Sequence, residues 1–240
     1  MSSKGQSTRI SIIVPVYNEY YHIVDVIERI LKAPMLECVE KEVIIVDDGS
    51  TDGTSEVLER YRNNKIIQVY STNRNVGKGS AIRTGLQFVT GDIVVIQDGD
   101  REYHPEEIIC LITPILEGKA RVVYGSRFLG TIEGMLFQYR LMNQLLIIAV
   151  RLLYGTRITD EATAYKAFDR QLIQSIPLRC KRFEFCPEIT AKVLRGGDTI
   201  YEVPITYSAR TRAEGKKIRF SDAIEAFWTL LRYRFWKSKV

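Results

Sequence analysis

Two carboxylates, Asp98 and Asp100, stand with one residue between them just past an apolar run at residues 93–96. A chain leaving a strand can turn both side chains toward one ligand. At such short range they repel, and the repulsion raises the pKa of one of them. A divalent cation resolves that conflict, and Mg²⁺ or Mn²⁺ takes carboxylate oxygens together with phosphate oxygens. A polar turn uses the same residue types, since Asp-Gly is a common turn pair. A second carboxylate pair, Asp47-Asp48, follows another apolar run at residues 43–46. Its oxygens suit hydrogen bonds to a base or to ribose hydroxyls.

The elements that must position these groups follow from patterning. A continuous Val/Ile run at residues 43–46, the signature of a strand buried on both faces, and β-rich segments at residues 10–14, 66–70, 92–96 and 122–124 read as strands. Helical spacing covers residues 20–31, 52–61, 79–89 and 105–116, with Ser50-Thr51 as capping residues for the second helix and Pro105 in the first turn of the fourth. The alternation predicts an α/β fold with a mostly parallel central sheet and helices on both faces. Ligands in such sheets bind beyond the carboxyl ends of the strands. That rim collects Pro15–Glu19, Asp47–Ser50, Asn73–Gly79, Asp98–Asp100 and Gly125–Arg127.

The second half departs from the alternation. It predicts a long helix over 135–153, a shorter one over 187–194, a strand over 199–203 and a last helix over 221–233. No linker or repeat divides the chain, so one domain over 1–240 is expected. It has a nucleotide-binding half (10–130), an elaborated acceptor-side half (131–220) and a basic amphipathic helix (221–240).

Two nucleotide motifs are excluded. Residues 15–19 read PVYNE where a dinucleotide fold needs G-x-G-x-x-G, and Gly77-Lys78 lacks the earlier glycine and the Ser/Thr of a P-loop. Four cysteines without a CxxC pair and only two histidines disfavour a zinc site. Neither His22 nor His104 is assigned a chemical role. With 45% apolar and 26% charged residues the 240-residue chain has globular composition, and no apolar run reaches membrane-spanning length. The polar start predicts a cytoplasmic protein.

Of the net charge of +5, all the excess lies after residue 205, where nine Lys/Arg face three Asp/Glu. Aromatic residues interleave with that basic charge from Phe227 to Lys237. A solvated helix is one reading. The others are packing of the helix on the core, and contact with a membrane surface, or with a separate membrane subunit, in peripheral association at the cytoplasmic face. No nucleic-acid-binding module is present.

Taken together, IIVPVYNE (12–19), VDDGSTDGT (46–54), NVGKG (75–79) and DGD (98–100) resemble the family 2 glycosyltransferases of GT-A (nucleotide-diphospho-sugar transferase) fold. YGSR (124–127), FEFCPE (183–188), EVPITY (202–207) and Arg210, Arg212, Glu214, Gly215 and Lys216 narrow the resemblance to the polyprenyl-phosphate, dolichyl-phosphate mannose synthase-like subgroup.

The resemblance implies a nucleotide held at Pro15, Tyr17, Glu19, Asp47 and Asp48, with Lys78 in the adjoining glycine-rich turn. It implies a metal, Mg²⁺ or Mn²⁺, at Asp98 and Asp100. The subgroup's third metal contact, a Gln, is Glu102 here. The acceptor phosphate falls to Arg127 and Arg140, and the leaving diphosphate to Arg210 and Lys216. The implied reaction is inverting transfer of a hexose from a GDP-mannose- or UDP-glucose-type donor to dolichyl or undecaprenyl phosphate. An anionic phosphate needs no general base. A hydroxyl acceptor, as in polysaccharide synthesis, would need one, for which Asp160 is the candidate, although structural and catalytic roles stand level for it. The Q-x-x-R-W segment of processive relatives is absent, which favours single transfer. A non-catalytic sugar-nucleotide-binding protein is the remaining alternative.

Overall fold

The computed structural model describes residues 7–210 and 220–237. Seven strands form one sheet in the order β3-β2-β1-β4-β6-β5-β7. The first half alternates as its patterning predicts, through β1 (Thr8–Val16), α1 (Ile23–Lys32), β2 (Val39–Asp47), α2 (Thr54–Leu58), β3 (Ile67–Ser71), α3 (Lys78–Gly85) and β4 (Ile93–Ile96). A 3-10 turn at Pro105–Glu107 leads into α4 (Ile108–Leu116). β1 pairs in parallel with β2 and β4, and β2 with β3.

Both faces of these strands are covered, which is why their sequences lack alternation. Ile10, Ile12, Val14 and Val16 point into a layer with α1 and α4. Ile13, Ile44, Val46, Val94 and Ile96 point the other way, against α3, α6 (Arg170–Ser175) and α7 (Phe185–Arg195).

The second half adds β5 (Val122–Glu133), α5 (Phe137–Tyr154), β6 (Lys166–Asp169), β7 (Tyr201–Ser208) and α8 (Phe220–Tyr233). β6 was not expected. It is four residues long, carries Lys166, and inserts antiparallel between β4 and β5, so strand pairing alone defines it. β5 is longer than the Val122–Tyr124 run suggests, because it continues beside β7 after a register shift between Ser126 and Thr131. The shift brings the backbones together: a Cβ on Gly130 would lie 2.1 Å from the Ile205 carbonyl oxygen. α8 packs Ala226, Leu230 and Tyr233 against α5 and α7. Among the described residues no helix is long and apolar enough to cross a membrane.

One predicted cap is replaced. Gly53, at φ +93°, precedes α2, and Asp52 accepts from Thr54 N–H at 3.0 Å. The Ser50 hydroxyl is already committed to Asp47, at 2.6 Å.

Candidate active site

The carboxyl ends of β1, β2 and β4 and the segment after β7 converge. After β1 the chain turns at Asn18, a non-glycine residue at φ +50°, held by the Ser50 hydroxyl at 2.9 Å and by Thr51 N–H donating to its side chain at 2.8 Å. That turn buries Glu19, whose N–H donates to Thr54 Oγ1 at 3.0 Å. Tyr17 is half-buried beside it, and Pro15 sits inside β1 opposite Val46.

Asp47 and Asp48 brace the loops. Asp47 is fully buried and accepts from Ser50 N–H at 3.0 Å, from the Ser50 hydroxyl and from Ser55. Asp48 accepts from Val76 N–H at 3.1 Å and Gly77 N–H at 2.6 Å, tying the β2 and β3 loops together. Burial lifts the Asp48 carboxyl above its ordinary range, against the pull of those donors and of Thr72. The carboxylates expected to meet a nucleotide thus shape the rim through backbone N–H groups.

Four carboxylates gather next to this rim. Asp98 pairs with Lys78 at 2.5 Å. Asp100 pairs with Arg210, whose other arm reaches Glu19 at 2.9 Å. Glu102 accepts from Arg210 N–H and from the Tyr207 hydroxyl, both at 2.9 Å. Glu102 N–H in turn donates to Asp100 at 2.9 Å. His22 Nδ1 lies 3.3 Å from Glu19, which its place at a helix start did not suggest.

Burial, with the charges of Asp98, Glu102 and Glu19, pushes Asp100 up to about 7, and Arg210 opposes this. Burial alone would depress Lys78, but Asp98 holds it above its ordinary value. Glu19, Asp98, Asp100 and Glu102 therefore share two cations, Lys78 and Arg210. That surplus of negative charge and its oxygen-only donor set suit a divalent cation, which commonly takes one or two carboxylates plus phosphate oxygens. No three His, Cys, Asp or Glu among the described residues form a preformed cage.

Arg127 stands across Tyr207 from this cluster, its guanidinium 5.0 Å from the ring centroid. Asp160, fully buried, accepts from Arg127 Nε and Nη2 at 2.7 Å each and from its backbone N–H at 3.0 Å. Glu202 fixes the Asp160 loop by accepting from Thr159 N–H at 2.7 Å and Asp160 N–H at 2.9 Å. Glu202 and Tyr207 entered the sequence reading only as the ends of the EVPITY motif and were given no role, since their partners lie 42 and 105 residues away.

Arg140 lies on the exposed side of α5, and among the described residues no hydrogen bond or ion pair joins its side chain to this cluster. Lys216 lies outside the described residues, as does Arg212.

The fold is that of a GT-A glycosyltransferase. The profile of glycosyl transferase family 2 matches residues 11–176, and the chain belongs to that family. It is 27% identical over 236 residues to a dolichol-phosphate mannosyltransferase of Pyrococcus furiosus, covering 97% of this chain and 65% of that protein. It is 30% identical over 194 residues to an undecaprenyl-phosphate 4-deoxy-4-formamido-L-arabinose transferase of Yersinia enterocolitica, covering 78% and 57%. The chain thus spans less than two thirds of the length of these relatives. Among solved structures, glucosyl-3-phosphoglycerate synthase from Mycobacterium tuberculosis, in complex with Mn²⁺, UDP-glucose and phosphoglyceric acid, superposes with a TM-score of 0.74 at 24% identity, covering 95% of this chain and 80% of that one.

Proposed function

We propose that this glycosyltransferase moves a hexose from a nucleotide sugar to a polyprenyl phosphate. The observation that carries the reading is the juxtaposition of Arg127 with the four-carboxylate cluster. One side is suited to a cation-bound diphosphate and the other to an anionic acceptor. The named relatives act on dolichol phosphate and undecaprenyl phosphate, and a fold neighbour holds Mn²⁺ with UDP-glucose.

Asp98 and Asp100 would hold a divalent cation, with Glu102 joining only once its Tyr207 and Arg210 bonds open. When bound, such a cation neutralises charge on the departing diphosphate. The rim braced by Asp47 and Asp48, with Pro15 and Tyr17 at its edge, receives the nucleoside. Lys78 and Arg210 then turn from their carboxylates to the diphosphate, as cations suited to developing charge there. A phosphate oxygen of the acceptor attacks the anomeric carbon. The bond from that carbon to the diphosphate oxygen breaks, and the configuration inverts. Arg127 positions the acceptor, and Asp160 positions Arg127.

A hydroxyl acceptor would require a general base. Asp160 gives both its oxygens to a guanidinium, which favours the phosphate acceptor. Thermal stabilisation by GDP, UDP, CDP and dTDP, with and without Mg²⁺ or Mn²⁺, tests the donor site in wild type and Asp100→Ala. A bound nucleotide at a hundredfold excess over Kd adds about 2.7 kcal/mol. A shift with one nucleotide, lost in Asp100→Ala, supports the reading, and no shift with any nucleotide sinks it. Transfer of label from the matching nucleotide sugar to polyprenyl phosphate, rather than to a sugar hydroxyl, tests the acceptor.

A further inference from the structure

Tyr103 stands in the segment after β4, between Glu102 and the turn that opens α4, and is 3% exposed. Its backbone bridges to Tyr207, and its ring centroid lies 5.3 Å from that of Tyr207, the ring that the Arg127 guanidinium faces at 5.0 Å. A third ring, Tyr165, packs at 5.4 Å. The Tyr103 hydroxyl accepts from Ala164 N–H at 3.0 Å. Ala164 and Asp160 belong to one loop, four residues apart. The loop that locks the Arg127 guanidinium through Asp160 therefore also locks the Tyr103 hydroxyl.

A phenol both accepts and donates. The Tyr103 oxygen accepts one bond, but among the described residues no acceptor takes its proton. Tyr165 next to it shows the satisfied arrangement, its hydroxyl donating to the His104 carbonyl oxygen at 2.9 Å. A buried donor without an acceptor destabilises a fold, and native proteins keep few of them. The charges that act on the Tyr103 hydroxyl include Arg127, Asp98 and Asp160, which places it between the carboxylate cluster and the acceptor side of the site. Arg127 spends Nε and Nη2 on Asp160, and among the described residues its Nη1 has no partner. An O–H and a guanidinium N–H gathered around one tyrosine ring, both oriented by one loop, suit the oxygens of a single phosphate.

We propose that Tyr103 is a second ligand of the acceptor phosphate, its hydroxyl donating a hydrogen bond to one oxygen of the polyprenyl phosphate that Arg127 holds. This deepens the acceptor reading above and rests on it. No proton is transferred, because a phenol stays protonated near neutral pH. The hydroxyl fixes one phosphate oxygen while another attacks the anomeric carbon, so the bond orients the nucleophile. Nothing local in the sequence marks Tyr103, since its partners come from β7 and from the loop after Asp160.

The test uses the full chain, farnesyl phosphate as a short, soluble acceptor, and the nucleotide sugar whose nucleotide stabilises the fold. Tyr103→Phe should raise the KM for farnesyl phosphate by at least about tenfold, the loss expected for a hydrogen bond to a charged group. The donor KM and the nucleotide-induced thermal shift should stay as in wild type. Tyr165→Phe, which loses a buried phenol bond to the His104 carbonyl, should keep the wild-type acceptor KM. An unchanged acceptor KM in Tyr103→Phe overturns the proposal. So does a rise confined to the donor KM, which assigns the hydroxyl to the leaving diphosphate, and so does an equal rise in Tyr165→Phe, which reduces the effect to packing. A crystal structure of the wild-type chain with farnesyl phosphate needs no variant to fold. It should place a phosphate oxygen about 3 Å from the Tyr103 hydroxyl, and a water there in its place overturns the proposal. Wild-type protein that binds a nucleotide but transfers nothing to farnesyl phosphate overturns the acceptor reading itself, an outcome distinct from transfer that Tyr103→Phe leaves untouched.

Discussion

Arg127 and Asp160 form a forked pair: both carboxylate oxygens accept from the guanidinium at 2.7 Å, and the Arg127 backbone N–H closes a third bond at 3.0 Å. Neither group is exposed beyond 6%. Each holds the other in a single orientation. A buried pair of this kind is costly to break from one side, because the remaining charge loses its partner. Asp160→Ala should therefore destabilise the fold by about 3–5 kcal/mol. Adding Arg127→Ala to it should cost less than the sum of the single changes. Urea denaturation of the two single variants and the double variant gives the coupling, and strict additivity would show that the pair holds no orientation.

Arg210 neutralises the cluster in the absence of a metal. It pairs with Glu19 and Asp100, and its backbone N–H reaches Glu102. Arg210→Ala leaves those carboxylates facing one another, so the melting temperature should fall. Millimolar Mn²⁺ should restore more of it than in wild type, because the cation no longer competes with a guanidinium. Differential scanning fluorimetry with a Mn²⁺ titration reads both effects. An equal or smaller Mn²⁺ response in the variant would contradict competition for these oxygens.

Gly77 has no substitute. Its φ is +120°, and an added Cβ would lie 2.5 Å from the Lys181 carbonyl oxygen. Its N–H also donates to Asp48. Backbone strain alone costs about 1–3 kcal/mol, and the collision with a carbonyl adds to it. Gly155→Ala is the control, since Gly155 also has positive φ, at +68°, but meets nothing within 4 Å. That change should cost about 1 kcal/mol. Equal losses in the two variants would remove the steric argument.

Glu161 gives the protein a pH dependence. It is fully buried, and burial with the Asp160 charge pushes its carboxyl up to about 7, while Lys166, the Thr190 hydroxyl and Arg127 oppose this. Cys186 and Tyr124 also lie in its field. The folded value stands above the ordinary 4.5, so the folded state keeps a proton that the unfolded state releases. Stability should fall as pH rises between about 5 and 7, by up to about 3 kcal/mol. Glu161→Gln should reduce that slope, leaving the share contributed by Asp100, which is also pushed up to about 7. Urea midpoints across this range decide it, and an unchanged slope in the variant would assign the dependence elsewhere.

The first half of the fold was legible because each element has a strong local signal. A strand stretch buried on both faces must be apolar throughout, and β4, residues 12–16 of β1 and residues 43–46 of β2 are. The second half was less legible where pairing, not patterning, makes the element. β6 is four residues with a lysine in it, and the extension of β5 depends on Gly130 admitting the β7 backbone.

The site divides in the same way. Sequence by itself determined the family, the rim and most of the charged groups that meet there: Glu19, Asp47, Asp48, Lys78, Asp98, Asp100, Glu102, Arg127, Asp160 and Arg210. Their types and order along the chain carry that information. Only the tertiary structure decided who partners whom. It spent Asp47 and Asp48 on bracing loops, joined Asp160 to Arg127 and brought Tyr207 to Glu102. It also set α8 against α5 and α7. Local sequence cannot encode those pairings, because hydrogen bonds and burial act between atoms that only the folded chain brings within a few ångströms.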